Sequence, residues 1–216
     1  MTEEKLPVPY PIPEEIQPEY TEWYHFMMEK VEFALKISPI HTKAHASRVL
    51  LFALLIAQKR GLPLSDWNIL GAAASFHDTR RHDDYLDVGH GARGAAYYHA
   101  YCRGKGLPFH RLAARIMQYH DHPDTLGNKI IGERFGKHGV LLYHIFKDAD
   151  ALDRFRLGPG GFDPRYLRTP EGKGMYDYAK NIWAQVIKAD PSLDRHWLEE
   201  KRSCEEIPHS FLNLPA

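Results

Sequence analysis

Residues 65–78 read SDWNILGAAASFHD and make up the most informative segment of the chain. Their first serine can cap a helix N-terminus, and the apolar residues that follow predict a buried helix extending to Phe76. The small residues at 70–74 allow neighbouring helix backbones to approach closely. The helix ends in His77 and Asp78, so two ionisable side chains are expected at the edge of the core.

Apolar residues recur at helical spacing on both sides of this segment. The pattern predicts further helices over residues 19–36, 41–60, 90–103, 108–120, 137–155, 175–188 and 192–202. A convincing alternation of polar and apolar residues is absent from the sequence, and so is an internal repeat. The sequence therefore predicts an all-α fold.

The length of 216 residues predicts one domain with a sizeable core. Residues 1–18 are rich in proline and glutamate and predict an extended N-terminal arm. The domain would then occupy residues 19–216, with a functional core at about 41–156 and C-terminal helices over 174–202.

Composition argues against several classes of protein. The chain has 28 Lys and Arg against 28 Asp and Glu, so no positive field favours nucleic acid or an anionic membrane as a partner. We find no basic leader with an apolar run and no apolar stretch of about 18 residues, which predicts a soluble, cytoplasmic protein. Two cysteines do not make a disulfide framework. The unusual count is 14 histidines, because histidine is the commonest metal ligand among side chains.

Several histidines lie where the predicted helices begin or end. His45 falls in the first turns of one helix, His90 opens another, His120 closes a third, and Asp150 lies within a long apolar helix. Burying such groups is costly unless they are paired or coordinate a metal. Imidazole nitrogen and carboxylate oxygen suit Mn, Fe, Co, Ni or Zn, with Mg as a further option. The predicted ligands are His45, His77, Asp78, His90, His120 and Asp150.

Asp78 has two oxygens and can therefore contact two metal ions. Two ions about 3.5–4 Å apart can hold the attacking and leaving oxygens of a phosphoryl displacement and acidify a bridging water. We accordingly predict one or two divalent metal ions per chain, with Asp78 positioning the water.

Four short motifs follow one another along the chain. They are His45-Ala-Ser-Arg48-Val49, His77-Asp78-Thr-Arg-Arg81, His90-Gly91 and Lys147-Asp-Ala-Asp150-Ala-Leu-Asp153-Arg154. In this order they resemble the HD-domain metal-dependent phosphohydrolases, over roughly Glu19 to Arg156. The resemblance implies a helical bundle with the metal site at its centre and a one-metal core of His45, His77, Asp78 and Asp150. It also implies a second site completed by His90 and His120, as in the two-metal members.

Neighbouring residues are assigned supporting roles. Asp153 follows Asp150 by three positions and can share its helix face, so we expect it to orient a ligand as the second catalytic carboxylate beside Asp78. Four basic residues adjoin the predicted ligands and are candidates for binding a substrate phosphate: Arg48, Arg81, Lys147 and Arg156. The alternative for each is an ordinary ion pair with a nearby aspartate.

Three local alternatives stay open. His41 competes with His45, because residues i and i+4 share a helix face. His122 follows His120 by two residues and competes with it as a ligand. The glycine-rich segment 158–168 is either a plain connector or a hinged lid that carries arginines over an anionic ligand.

These features predict a hydrolase that uses a metal-activated water to cleave a phosphoester or phosphoanhydride bond. Its partner would be a small nucleotide-like or phosphorylated metabolite, because the balanced charge suits a small substrate better than a polymer. The resemblance leaves an alternative, since HD-type di-iron oxygenases use nearly the same six ligands to act with O₂ on small polar substrates. A catalytically silent nucleotide sensor is disfavoured, because such modules usually lack a ligand.

Overall fold

The computed structural model describes residues 6–158 and 160–194, and within these ranges no residue lies in a β-strand. The α-helices are α1 (Gln17–Lys30), α2 (Lys43–Lys59), α3 (Leu64–Phe76), α4 (His90–Lys105), α5 (Arg111–Tyr119), α6 (Asp124–Leu152), α7 (Pro170–Lys173) and α8 (Tyr176–Ala189). Short 3-10 helices are η1 (Glu14–Ile16), η2 (Asp153–Leu157) and η3 (Pro164–Tyr166). The predicted all-α fold is confirmed.

Helices α2 and α3 form the centre of the core. Helix α2 packs against α3 and α6, while α4 packs against α5. Almost every side chain of α2 from His45 to Ala57 is buried, and so is the small-residue segment of α3. Gly71 lies directly against the indole of Trp23, where a Cβ atom would be 2.5 Å from the ring. The small residues of α3 therefore permit the close packing that the sequence predicts.

Two helix boundaries differ from the sequence prediction. Helix α1 ends at Lys30 rather than at residue 36, and residues 31–42 form a loop. Within that loop Ser38 Oγ accepts hydrogen bonds from the main-chain N–H groups of Ile40 and His41, which stabilises a turn instead of a helix. Helix α6 begins at Asp124 and not at residue 137, and the sequence prediction missed a helical segment over residues 124–135. Gly136, with a positive φ of 64°, joins it through a kink to the segment predicted from residue 137.

The described part of the N-terminal arm packs onto the domain. Residues 6–13 are not helical, but Leu6 and Tyr10 are buried. The Tyr10 hydroxyl lies 3.2 Å from Ser47 Oγ on α2. Most of the helix predicted at 192–202 falls outside the described residues. No helix in the described part of the chain is both long and apolar enough to cross a membrane.

Candidate metal centre

Five helix ends bring the predicted ligands to one place. Thr42 caps α2 by accepting the N–H of His45, which places this histidine in the first turn. The pair His77 and Asp78 follows α3 directly, and His90 is the first residue of α4. The remaining two ligands, His120 and Asp150, lie at the end of α5 and in the last turn of α6.

Asp78 lies between two pairs of histidines. Its Oδ2 atom is 3.5 Å from Nε2 of both His45 and His77. Its Oδ1 atom is 3.1 Å from Nε2 of His90 and 3.9 Å from Nε2 of His120. We call the group of His45, His77, Asp150 and Asp78 Oδ2 the first half-site. The second half-site consists of His90, His120 and Asp78 Oδ1.

Several distances between donor atoms within the half-sites are close to those of ligands that share one ion, while the 3.9 Å between Asp78 Oδ1 and Nε2 of His120 is longer. The Nε2 atoms of His45 and His77 are 3.3 Å apart, and those of His90 and His120 are 2.9 Å apart. Asp150 Oδ1 is 3.4 Å from Nε2 of His45. Donors bound about 2.1 Å from one ion are themselves roughly 3.0–3.4 Å apart. Groupings of His and Asp that can hold a metal ion are thus present in the described residues.

The Nδ1 atoms of the four histidines are held by other groups. Their partners are Asp153 Oδ2 for His45 at 2.7 Å, the Ala74 carbonyl for His77 at 3.0 Å, the Asp87 carbonyl for His90 at 2.6 Å and the Met117 carbonyl for His120 at 2.7 Å. A carbonyl or carboxylate oxygen only accepts, so each Nδ1 carries the proton and donates it. In the neutral form of each ring the lone pair of Nε2 then points inward, as metal-ligating histidines require.

Electrostatics in the centre also favour a cation. Burial alone would raise the pKa of Asp78, but the nearby His77 and hydrogen bonds from other histidines hold it well below its usual range. Asp150 is held low in the same way, chiefly by His45. Burial lowers the pKa of His77 to about 3. For His45 burial acts in the same direction, yet hydrogen bonds to Asp150, Asp153 and Asp78 raise its pKa to about 9. The ionised carboxylates therefore draw positive charge onto His45 and also raise the pKa of His120, and a divalent cation can supply that charge instead.

Asp153 supports the first half-site without entering it. Its carboxylate accepts hydrogen bonds from Nδ1 of His45 and from Nε and Nη2 of Arg48. Arg48 is also 5.3 Å from the centre of the Trp183 ring. The guanidinium of Arg48 therefore forms the ion pair that the sequence left as an alternative, and it does not line the cavity described next.

A cavity of about 670 Å³ opens over the centre and is lined by Asp78, His90, His120 and Asp150. Three of the predicted phosphate-binding residues also line it, namely Arg81, Lys147 and Arg156. Lys147 binds Asp124 at 2.7 Å and the His122 carbonyl at 2.9 Å, so its charge is already paired.

Arg81 holds the loop between α3 and α4. It donates to the carbonyls of Asp83 and Tyr85. Its Nη1 is 3.2 Å and 3.1 Å from the two ring nitrogens of His90. Nearly equal distances place the guanidinium against the ring face rather than on an in-plane lone pair. Arg81 therefore positions His90 besides carrying charge into the cavity.

Arg156 is the predicted phosphate-binding residue with a free donor. It is buried, and its Nη1 donates to the main-chain carbonyl of Asp153 at 3.2 Å. Its Nε has no hydrogen-bond partner among the described residues. Burial lowers the pKa of Arg156, but a guanidinium stays protonated at neutral pH. Nη1 also lies 3.6 Å from Asp153 Oδ2, so the cation is ion-paired, yet Arg156 is among the residues that line the cavity and brings positive charge to it.

The two competing histidines, His41 and His122, belong to neither half-site. His41 lies on the cavity wall outside both half-sites, with Nδ1 2.7 Å from Asp84 Oδ1. Burial lowers its pKa to about 4, so the ring is neutral and Nε2 is an acceptor. His122 also lies on the wall, while His120 faces Asp78.

Two aspartates were missed by sequence reasoning. Asp84 orients His41, and Asp121 Oδ2 accepts the N–H groups of Gly89 at 2.6 Å and Gly91 at 3.4 Å. A Cβ atom at Gly91 would collide with the carbonyl of Met117. Asp121 and Gly91 thus hold α4 against α5 and bring His90 beside His120. The only sequence signal for Asp121 is that it follows a predicted ligand.

The segment 158–168 does not carry free arginines over the centre. Arg165 pairs with Asp163, and Arg168 pairs with Asp124 and Asp148. The buried carboxylate of Asp148 also accepts the N–H groups of Arg168 and Thr169. These contacts fasten the end of the segment to α6.

Comparisons with known proteins add little to this picture. No family model and no solved structure matches the chain. A stretch of 79 residues, 35% of the chain, is 38% identical to the ATP-dependent zinc metalloprotease FtsH of Protochlamydia amoebophila (strain UWE25). That stretch is 8% of the length of the metalloprotease. The HExxH motif of zinc metalloproteases is absent from the sequence, so the similarity lends no protease site to this chain.

Proposed function

We propose that the protein is a metal-dependent phosphohydrolase of the HD-domain type. It cleaves a phosphoester or phosphoanhydride bond in a small nucleotide-like or phosphorylated metabolite, in the cytoplasm and without a nucleic-acid or membrane partner. The observation that carries the proposal is Asp78, whose two oxygens face two separate pairs of histidine Nε2 atoms. This arrangement supports two adjacent ions bridged by one carboxylate.

The described residues divide the work between binding metal and binding substrate. The first half-site would hold one ion and the second half-site another. Bound divalent ions would lower the pKa of a water molecule and neutralise phosphate oxygens. Asp78 would contact both ions, and the hydrogen bond from Nδ1 of His45 to Asp153 would leave Nε2 available as a ligand. The identity of the ion is left to Mn, Fe, Co, Ni, Zn or Mg.

Arg156 would bind the phosphate. Arg156 lines the cavity together with Asp150, so its guanidinium lies near an anion that also contacts the ions. A guanidinium can donate two parallel hydrogen bonds to phosphate oxygens and offset charge that develops in the transition state. Arg81 would contribute charge from the side of His90. Arg48 and Lys147 are left out of direct binding, because aspartates already neutralise them.

The first test measures metal content and phosphate release together. The purified protein is analysed for elements and screened against nucleotides and phosphorylated metabolites, beside His77→Ala and the control His99→Ala. His99 is an exposed histidine on α4 that packs on Phe109. We expect two ions per chain and phosphate release in the wild type and in the control. In His77→Ala we expect loss of bound metal and of phosphate release. Phosphate release that persists in His77→Ala would overturn the proposal.

A di-iron oxygenase is the second candidate. It is favoured by the donor set of four histidines and two carboxylates without a thiolate, which suits iron as well as zinc or manganese. Two irons per chain, oxygen consumption and no phosphate release with any metal would favour this candidate over the hydrolase.

A further inference from the structure

Exposed apolar side chains gather at the mouth of the cavity. Eight large hydrophobic residues are exposed in the described part of the chain. Four of them line this one cavity, namely Tyr85, Leu86, Val88 and Tyr166. We call these four residues the apolar rim. Large exposed apolar groups collected in one place mark a binding surface rather than ordinary surface scatter.

The loop that carries most of the apolar rim is fixed by polar contacts. Arg81 binds the carbonyls of Asp83 and Tyr85, and Asp84 accepts hydrogen bonds from Ser38 and His41. Further along, Asp87 pairs with both of its oxygens to Arg93. Leu86 is nevertheless 91% exposed and Tyr85 78% exposed. Because these contacts hold the backbone in place, the exposure of the side chains reflects the fixed conformation of the loop and not its flexibility.

Tyr166 is presented by a second anchored segment. It ends η3, and its carbonyl accepts a hydrogen bond from Arg168. Arg168 in turn binds Asp124 and Asp148. The Tyr166 ring is 67% exposed although the chain beside it is fastened to α6. Two separate segments of the fold therefore contribute aromatic rings to the same cavity.

The cavity thus has chemically different ends. One end carries residues of the half-sites together with Arg81 and Arg156, and metal ions and guanidinium groups suit an anion. Its rim is apolar, and the rim carboxylates of Asp87 and Asp163 are occupied by Arg93 and Arg165. A volume of about 670 Å³ lies within the range of about 300–1,000 Å³ that is common for small-molecule sites. A phosphate group alone would leave most of it unfilled.

We propose that the substrate is a phosphate ester whose other part is a flat aromatic ring, such as a nucleobase, held by Tyr85, Leu86 and Tyr166. This inference rests on the proposed function, because the phosphate end is placed at the metal centre. Aromatic side chains stack on any ring that offers a π-face. With its carboxylates already paired, the rim selects for a ring but discriminates weakly between different rings.

The decisive comparison uses two substrates that differ only in the ring. AMP and ribose 5-phosphate share the sugar and the phosphate, and CMP supplies a second base. The metal-loaded wild type is expected to show a KM about tenfold lower or better for AMP than for ribose 5-phosphate, the size expected for one stacked base. AMP and CMP are expected to differ by less than that.

Variants of the apolar rim locate the effect. Tyr85→Ser combined with Leu86→Ser should raise the KM for AMP about tenfold and leave the KM for ribose 5-phosphate unchanged. The matched control is Leu64→Ser, which alters an exposed leucine at the start of α3 away from the cavity. Metal content and circular dichroism should be unchanged in all variants, since none of these residues touches a ligand.

The possible failures are distinguishable. Equal KM values for AMP and ribose 5-phosphate, or rim variants with the wild-type KM for AMP, would overturn this inference while leaving the phosphohydrolase intact. A shift of oligomeric state in the rim variants with an unchanged KM would also overturn it, because the rim would then be a protein contact. If no phosphate is released from any compound, the proposed function fails. In that case calorimetry compares the affinities of the protein for AMP and for ribose 5-phosphate. Tighter binding of AMP would support the role of the apolar rim, and equal binding would reject it.

Discussion

The two half-sites use the same donor atoms but are supported in different ways. In the first half-site Nδ1 of His45 donates a hydrogen bond to the carboxylate of Asp153, which also accepts two hydrogen bonds from Arg48. In the second half-site Nδ1 of His90 and Nδ1 of His120 donate to main-chain carbonyls, and Asp121 Oδ2 lies 3.5 Å from Nδ1 of His90. A closely hydrogen-bonded anionic partner makes an imidazole a stronger ligand and fixes its orientation. The comparison shows that a candidate metal centre can have one histidine supported by a buried ion pair while the other histidines donate to main-chain carbonyls.

Asp78 is the element that the half-sites share, so its removal should have the largest effect. Asp78→Ala deletes both bridging oxygens, and we expect loss of both ions and a fall in phosphate release of about a thousandfold or more. Elemental analysis and a phosphate assay test this. The matched control is Asp66→Ala, which removes an equally buried carboxylate at the other end of α3 and should keep both ions. A variant at Asp78 that still holds two ions would break the comparison.

Asp153→Ala should damage the first half-site and spare the second. His45 loses its anionic partner, and metal affinity is expected to fall about 10–100-fold at one of the two ions. The change also leaves the buried guanidinium of Arg48 without its carboxylate, which should lower the free energy of unfolding by about 3 kcal/mol. Chelator titration and urea unfolding measure the two effects. Equal loss at both ions would show that the half-sites are not independently supported.

The pH dependence of the metal-free protein should reflect the first half-site. His45 has a pKa raised to about 9, so its contribution to stability is complete below its unfolded value of about 6.5 and is lost as pH rises through 9. His77, lowered to about 3, acts oppositely and costs stability as pH falls below 6.5. Stability should therefore peak near pH 6.5, with a loss of up to about 3 kcal/mol by pH 9. Urea unfolding at pH 5, 6.5 and 9 tests this, and stability that still rises at pH 9 would contradict it.

Asp121→Ala should give the smallest effect, at the second half-site. The carboxylate accepts the N–H groups of Gly89 and Gly91 at the start of α4, and its Oδ2 lies 3.5 Å from Nδ1 of His90. We expect the affinity for one ion to fall by less than about tenfold. The control is Asp124→Ala, which removes a nearby aspartate that pairs with Lys147 and Arg168. Metal content at limiting ion concentration separates the two, and an unchanged value in Asp121→Ala would remove this residue from the support of the centre.

Local sequence carried most of the information about the helices. The small residues of α3 and the apolar stripe of α2 predicted buried helices, and both are present. The prediction was wrong beyond α1, where Ser38 stabilises a turn, and it missed the helical segment that precedes Gly136 in α6. The structure brings the six predicted ligands together. Five of them lie where the sequence predicts a helix to begin or end, whereas Asp150 was predicted inside a helix.

The sequence predicted that Asp153 orients a ligand, but it did not predict which charged side chains pair with one another. Arg48 and Asp153 are separated by 105 residues, so nothing local indicates that they pair. The same holds for Lys147 and Arg168, whose charges meet Asp124, and for Arg156, whose donor stays free. Whether a basic side chain is available to a substrate depends on which carboxylates lie near it in the folded chain.

The sequence by itself determined the helical class and the types of donor atom, because helix periodicity and helix ends are properties of neighbouring residues. Tertiary structure decided which oxygen of Asp78 faces which histidines, which arginine keeps an unpaired donor and where apolar rings meet the cavity. These features depend on distances between side chains far apart in the chain. Hydrogen bonds and ion pairs act only over a few ångströms, so packing alone sets them.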